Sequence, residues 1–385
     1  MGFPVVGIVG GGQLARMMAT AAVGLGVGVR VLAESPGSSA ARTVPGTLIG
    51  DGADLDRLRT LARGVDVLTF DHEQVPTAHL VRLADEGVVV RPGPEALVHA
   101  QDKVRMRSRL TAAGLPCPAW ARAVDADSVA GFAARHGWPV VLKTTRGGYD
   151  GKGVEVVSSR DQAVAVMASL RAAHDDLLVE QHVPFVRELA ALVARSPHGQ
   201  AVAYPVVESV ARDGVCAEVT APAPGLAEAT ALEAARIALG IAGLLGVTGL
   251  LAVELFETAG GGLLVNELAM RPHNTGHWSL DAAVTSQFEN HLRAVLDLPL
   301  GDPRARAPWT VMANVFGPVD PSVPSMYDAF RHVMARDPGL RVQMYGKEPR
   351  AGRKVGHVTA YGGDLADTRE RARHAAAYLM GEIDE

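Results

Sequence analysis

The chain reads as a mixed α/β and α+β protein of two or three domains. Three observations predict this. A strand, glycine turn, helix and strand open the sequence; further on, glycine-rich connections join strands directly; and 385 residues exceed what one ordinary core accommodates. Apolar residues make up 48%, enough for large cores, and a net charge of −5 leaves no stretch basic enough to track a nucleic-acid backbone. Any phosphate recognition is therefore local. Cys117 and Cys216 are too few for a disulfide framework or a Cys-rich zinc site, which fits a reducing cytoplasm. The apolar run at 5–9 is short and flows into glycines, so neither a signal peptide nor a membrane-spanning helix is expected.

Residues 3–9 read as a strand, 10–12 as a glycine turn, 13–23 as a helix with Leu14, Met17, Met18 and Ala21 on one face, and 27–32 as the next strand. Gly10-x-Gly12-x-x-Ala15 matches the dinucleotide fingerprint, with Glu34 where an acid would hold a ribose hydroxyl. Glycines also serve wherever a helix N-terminus approaches a strand or binds any anion, so a dinucleotide-dependent oxidoreductase is one reading among several. A strand at 65–70, a helix at 74–86 and a strand at 88–91 continue the alternation. Arg91-Pro92-Gly93-Pro94 breaks it and ends a first domain, 1–94. Residues 95–113 follow as helix, where Lys103, Arg105, Arg107 and Arg109 read mostly as solvated charges.

A strand at 139–145 carries Lys143 near its end. Next come Arg146-Gly147-Gly148-Tyr149-Asp150-Gly151-Lys152-Gly153 and a second strand at 154–158. This is not a Walker A loop, because Gly153 follows Lys152 and no helix comes after it. Glycine-freed amides can nevertheless fold over a triphosphate, with Lys143 as a nearby point charge. A helix at 161–173, a strand at 177–179 ending at Glu180, a strand at 188–194 opening at Glu188 and a helix at 228–245 complete this part.

The segment 250–278 is the most committed to a chemistry. Runs at 250–256 and 263–268 read as strands, and Ala259-Gly260-Gly261-Gly262 as their connection. A symmetric four-residue loop sets Glu254 directly opposite Glu267, with Cβ atoms about 4.5–5.5 Å apart. Two like charges so placed repel unless a proton or a hard cation bridges them. Arg271, His273 and Asn274 crowd in just behind. A helix at 280–296 and a proline-rich break at 299–308 come next, then a strand at 311–316, a variable loop, a cationic run with Lys347, Arg350, Arg353 and Lys354, a strand at 355–360 and a last helix from about Asp364. Those four cations suit either water or a phosphate clamp.

Taken together, GGGQL at 10–14, TFDHE at 69–73, RGGYDGKG at 146–153, Asn266-Glu267, RPHNTGHW at 271–278 and GRKVGH at 352–357 resemble one family over nearly the whole chain: the 5-(carboxyamino)imidazole ribonucleotide synthases of purine biosynthesis, in the ATP-grasp superfamily. The resemblance implies a Rossmann-like N-terminal domain (1–94), a two-lobed ATP-grasp domain (95–298) and a small β-rich C-terminal domain (299–385). It implies ATP-dependent carboxylation of 5-aminoimidazole ribonucleotide by bicarbonate through carboxyphosphate, releasing ADP and phosphate, in a cytoplasmic homodimer. No nucleic acid or membrane partner is implied.

By position, Lys103 and Lys143 would meet ATP phosphates under the lid Gly148, Tyr149, Asp150, Gly151, Lys152 and Gly153. Glu180, Gln181, His182 and Val183 would line the adenine site, and Glu188 would hold the ribose. Glu254 and Glu267, with Asn266 beside them, would take Mg2+, Mn2+ being an alternative ion. Glu73, Tyr149, Asp150, Arg271, His273 and Asn274 would hold the ribonucleotide, with Lys347, Arg350, Arg353 and Lys354 on its phosphate. The catalytic set would be Lys143, Tyr149, Asp150, Arg271, His273 and Asn274. Two departures stand out: Ala211 where a polar residue is common, weakening adenine-side contacts, and Met270 where a proline is common, loosening the turn. Another ATP-grasp ligase, such as a glycinamide ribonucleotide transformylase or a biotin carboxylase, and a regulatory protein without turnover remain open alternatives.

Overall fold

The computed structural model describes residues 2–148, 152–171, 176–318 and 326–384. Its first sheet is parallel, ordered Leu48–Ile49, Gly28–Ala33, Val5–Val9, Val67–Phe70. Val6, Ile8 and Val9 have no exposed surface, because helices cover both faces, as the unbroken apolar run requires. The helix Gln13–Leu25 stops at Gly26, which takes the left-handed conformation at φ 68° that a side chain would disfavour. Residues 88–91, expected as a strand, make only a single bridge, Val90 to Leu68.

The second sheet has four antiparallel strands, ordered Trp120–Arg122, Leu177–Gln181, Val140–Thr144, Val154–Val157. Its apolar face packs Val140, Leu142, Val157 and Val179 against the helices Ala126–His136 and Arg160–Arg171. Lys143 and Glu180 lie on its opposite face, by alternation along each strand.

The third sheet has nine strands. The path Leu263–Ala269, Gly249–Thr258, Phe185–Arg195, Val207–Arg212, Val215–Ala221, Trp309–Phe316, Lys354–Gly362, Arg341–Met344 is antiparallel throughout, and Ala201–Ala203 adds to Phe185–Arg195. Leu189, Ala191, Leu251, Val253 and Leu255 point to one face and share a cluster with Ile237 and Ile241 of the helix Glu228–Leu244. Glu188 and Glu254, one residue out of phase, necessarily point to the other.

Three expectations need correction. The helix expected at 95–113 is two, Pro94–Gln101 and Lys103–Ala112, because Asp102 is extended and its carboxylate accepts from Arg105 N at 3.0 Å, starting a new helix. The helix expected at 280–296 likewise divides into Ser279–Ala282 and Gln287–Val295, with Ser286 capping the second through Glu289 N. The variable loop after 316 contains a helix, Met326–Arg336, and a strand, Arg341–Met344.

Candidate active site

The glycine turn at the chain's start is closed to a dinucleotide by the protein itself. The Asp71 carboxylate accepts from Gly12 N and from Ala15 N at 3.1 Å, so the helix N-terminus where a pyrophosphate would sit already holds an anion. A Cβ at Gly12 would lie 2.2 Å from Asp71 Oδ2: the glycine admits a carboxylate, not a cofactor. Glu34, the supposed ribose acid, instead faces His72, 3.4 Å away.

The hairpin at 249–269 pairs Glu254 with Glu267, the pairing expected of a symmetric connection. The connection is tighter than expected, since Thr258 N binds Gly262 O at 2.9 Å. That shifts the register by one, and a bulge restores it: Leu255 pairs with Val265, Glu254 with Glu267, and Asn266 is the extra residue between them. The bulge turns Asn266 towards Lys143, whose Nζ lies 3.2 Å from Asn266 Oδ1. Glu188, Ser209, Glu254, Phe256, Asn266 and Thr275 line a small open cleft. Burial there, then Glu267 and Glu188, push the Glu254 carboxyl up to about 8. Burial likewise raises Glu188.

Three cations form the floor. Lys103 Nζ lies 3.5 Å from Glu267 Oε1, and Lys143 Nζ 2.8 Å from Glu180 Oε2. Arg107, one turn beyond Lys103 in a run read mostly as solvated charges, is fully buried: Nε lies 2.6 Å from Glu180 Oε1, and Nη1 and Nη2 donate to Val265 O and Asn266 O, both at 2.8 Å. The two cations hold Glu180 near 2, overcoming its burial. Its carboxylate is therefore committed to Arg107 and Lys143, leaving its backbone and those of Gln181, exposed His182 and buried Val183 on the strand end. Gly148 and Gly153 flank the segment expected to be the lid, whose residues Tyr149, Asp150 and Gly151 lie outside those described; Lys152, just inside, precedes Gly153. Ala211 is exposed, at a bulge in its own strand.

Behind the hairpin, Arg271 Nε donates to Glu73 Oε2 at 2.6 Å, and Met270 N to Glu73 Oε1 at 3.1 Å. Met270 is fully buried, and its N–H fastens the turn expected to be loose; a proline there could not donate. His273 Nε2 lies 3.6 Å from Glu254 Oε1, and burial lowers its pKa to about 3, so the ring is neutral. Asn274 and Asn314 share their amides, with Asn314 Nδ2 2.8 Å from Asn274 Oδ1. The buried Gln287 amide brackets the same turn, accepting from His273 N at 2.9 Å and donating to His273 O at 2.7 Å. Arg107, Gln287 and Asn314 escaped the sequence reading, because their partners lie 73, 14 and 40 residues away and no local pattern marks them.

The four C-terminal cations divide. Lys354 is half-buried and its charge is felt at Glu254 and His273. Lys347 lies over the Tyr345 ring, 5.7 Å from its centroid. Arg350 and Arg353 are exposed and hold Glu348, through its carboxylate at 2.8 Å and its carbonyl at 3.3 Å. Among the described residues no group of three or more His, Cys, Asp or Glu side chains converges as a closed metal cage. Two opposed carboxylates on an open cleft instead fit an ion that completes its shell with phosphate and water.

A glycine-rich connection between Gly148 and Gly153, with Lys103 and Lys143 beside paired carboxylates on the facing sheet, defines an ATP-grasp ligase. Residues 108–288 match the family described as ATP-grasp domain, 3–101 the ribonucleotide synthetase preATP-grasp domain, and 310–371 the phosphoribosylaminoimidazole carboxylase C-terminal domain. N5-carboxyaminoimidazole ribonucleotide synthase of Mycobacterium tuberculosis is 54% identical over 380 residues, covering 98% of this chain and 88% of the relative. That of Corynebacterium ammoniagenes is 46% identical, covering 98% and 92%. The crystal structure of the Thermus thermophilus synthetase superposes with a TM-score of 0.86 at 35% identity, covering 99% of each chain. The Aspergillus clavatus enzyme in complex with ADP and 5-aminoimidazole ribonucleotide superposes at 0.88 and 28% identity, also covering 99% of each. The chain belongs to the N5-carboxyaminoimidazole ribonucleotide synthase family.

Proposed function

We propose that this ligase carboxylates the exocyclic amine of 5-aminoimidazole ribonucleotide at the expense of ATP, and that the hairpin is the seam where the two half-reactions meet. The observation that carries the reading is Glu254 opposite Glu267, with Lys143 and Lys103 on one side and Arg271 to Asn274 on the other. Bicarbonate oxygen attacks the γ-phosphorus of ATP, ADP leaves, and carboxyphosphate remains. The amine nitrogen then attacks its carbonyl carbon, and phosphate departs.

Lys103, Lys143 and the amides of Gly148 to Gly153, with Tyr149, Asp150, Gly151 and Lys152 between them, neutralise the triphosphate and keep water from the acyl phosphate. Gln181, His182 and Val183 border the adenine with the backbone of Glu180, and Glu188 takes the ribose. Glu254 and Glu267, beside Asn266, would hold Mg2+ (or Mn2+), which when bound offsets phosphate charge. Glu73 fixes Arg271; Arg271, Asn274 and neutral His273 orient the ribonucleotide together with Tyr149 and Asp150. Lys347 and Lys354, and more peripherally Arg350 and Arg353, meet its phosphate. A division at 94 and 298, a homodimer and a cytoplasmic setting belong to the same reading; the large sheet runs through the second boundary at the pairing of Val215–Ala221 with Trp309–Phe316.

ADP release measured with ATP, Mg2+ and bicarbonate tests this. Strong stimulation by 5-aminoimidazole ribonucleotide is expected. Stimulation by glycinamide ribonucleotide or biotin instead would assign the site to another ligase.

A further inference from the structure

Arg107 is fully buried, and it joins two of the sheets that carry the expected site residues. Its guanidinium reaches Glu180 on the four-stranded sheet and the Val265 and Asn266 carbonyls on the nine-stranded sheet. Lys143 completes the ring, with Nζ 2.8 Å from Glu180 Oε2 and 3.2 Å from Asn266 Oδ1. We propose that Arg107 is a positioning residue: it sets the bulge that aims Asn266 and Glu267 into the cleft, and it neutralises Glu180 so that the charge of Lys143 stays available to ATP.

The charge count decides the second role. One carboxylate faces two cations, so the buried set carries an excess positive charge. Without Arg107, the Glu180 charge is met by Lys143 alone, and a lysine locked in a buried pair is a poor partner for phosphate. The first role follows from geometry. A bulge leaves peptide groups without ladder partners, and the planar fork of a guanidinium can satisfy two adjacent carbonyls and a carboxylate at once. A lysine ammonium, a point donor on a flexible stem, cannot span all three.

The helix Lys103–Ala112 supplies both Lys103 and Arg107 from one face, four residues apart. Lys103 contacts the Glu267 carboxylate, while Arg107 holds the hairpin's backbone at Val265 and Asn266. Displacement of this helix therefore moves the cationic floor and the opposed carboxylates together.

The inference presumes that ATP lies on Lys143 and Glu267, and the full chain tests it by steady-state ADP release with Mg2+, bicarbonate and 5-aminoimidazole ribonucleotide. Arg107→Lys is expected to fold, with kcat/KM for ATP reduced about 10- to 100-fold, as a misplacement of about 1 Å costs, while KM for the ribonucleotide stays within about twofold. The double variant Arg107→Met/Glu180→Leu removes the buried pair in a volume-conserving way that folds tolerate. It is expected to fold with a lowered thermal midpoint, because the two carbonyls lose their donor, and to lose ATP turnover to a similar degree. A folded variant of either kind with unchanged kcat/KM for ATP, an equal loss towards both substrates, or failure of both variants to fold makes Arg107 merely structural and overturns the proposal. Absence of ribonucleotide-stimulated turnover in the unaltered chain would strike the functional reading instead.

Discussion

Arg271 Nε lies 2.6 Å from Glu73 Oε2, tying the turn behind the hairpin to the end of the parallel sheet 198 residues away. On the proposed function, the pair fixes the guanidinium where the ribonucleotide would be read. Glu73→Gln keeps the shape and one acceptor but loses the charge. Its kcat/KM for 5-aminoimidazole ribonucleotide should fall about 10- to 100-fold, or ~1.4–2.8 kcal/mol. KM for ATP should move less than about twofold. An equal loss towards both substrates would show that Glu73 shapes the whole fold.

Acid should destabilise the protein steeply. Burial lowers His273, His291 and His357 to about 3 and His277 well below its ordinary value. Above pH 6.5 both states are neutral at these rings, so they add no pH dependence. Below it the unfolded chain takes up protons that the native state refuses, and stability falls by ~1.4 kcal/mol per pH unit for each histidine fully engaged. Urea unfolding between pH 7 and 4 should show a slope of several protons; a slope of one or less would mean that the rings titrate freely in the native state.

Glu254 acts with the opposite sign. Its folded pKa is raised to about 8, so stability present at low pH is lost as pH rises towards and through that value. An ion on the two carboxylates cancels the loss. The thermal midpoint without metal should therefore drop from pH 6.5 to 8.5, and added Mg2+ with ADP should stabilise more at the higher pH. A Mg2+ effect independent of pH would place the ion elsewhere.

The lid should tolerate no side chain at its base. A Cβ at Gly148 would lie 2.7 Å from Lys152 O, a backbone atom that cannot swing aside. Gly148→Ala should raise KM for ATP about tenfold through a misaligned lid and should increase ADP release that yields no carboxylated product. Unaltered coupling of the two would leave the lid without a role in excluding water.

Asp71 makes a further outcome plain. With its carboxylate on Gly12 N and Ala15 N, the glycine turn has no vacancy for pyrophosphate. NADH and NADPH fluorescence should be unchanged on mixing with the protein, and saturable enhancement would reopen the oxidoreductase reading.

Much of this site could be read from residue order. A symmetric hairpin set Glu254 against Glu267, the pairing that the strands make. The hairpin also shows where such reading stops: a three-residue turn and a one-residue bulge offset each other, so the pairing matched a loop that does not exist. Arg107 sat in a run of alternating cations that looked solvated, because its partners lie 73 and 158 residues away and leave no local trace. The helix break at Asp102 went unread, because residues on both sides of it are helical and only the capping geometry separates them. Asn314, which holds Asn274, comes from the strand Trp309–Phe316, and only the pairing of that strand with Val215–Ala221 brings it to the cleft.

The central claim is that the opposed glutamates hold the ion that ATP requires. Mg2+-dependent ADP release by Glu267→Gln, with folding checked by circular dichroism and thermal midpoint, tests it most directly. The account predicts a fully folded protein whose turnover is lost by about a thousandfold or more, the scale of removing a preorganised charge from such a site. A folded Glu267→Gln with unchanged turnover and an unchanged Mg2+ requirement would contradict it.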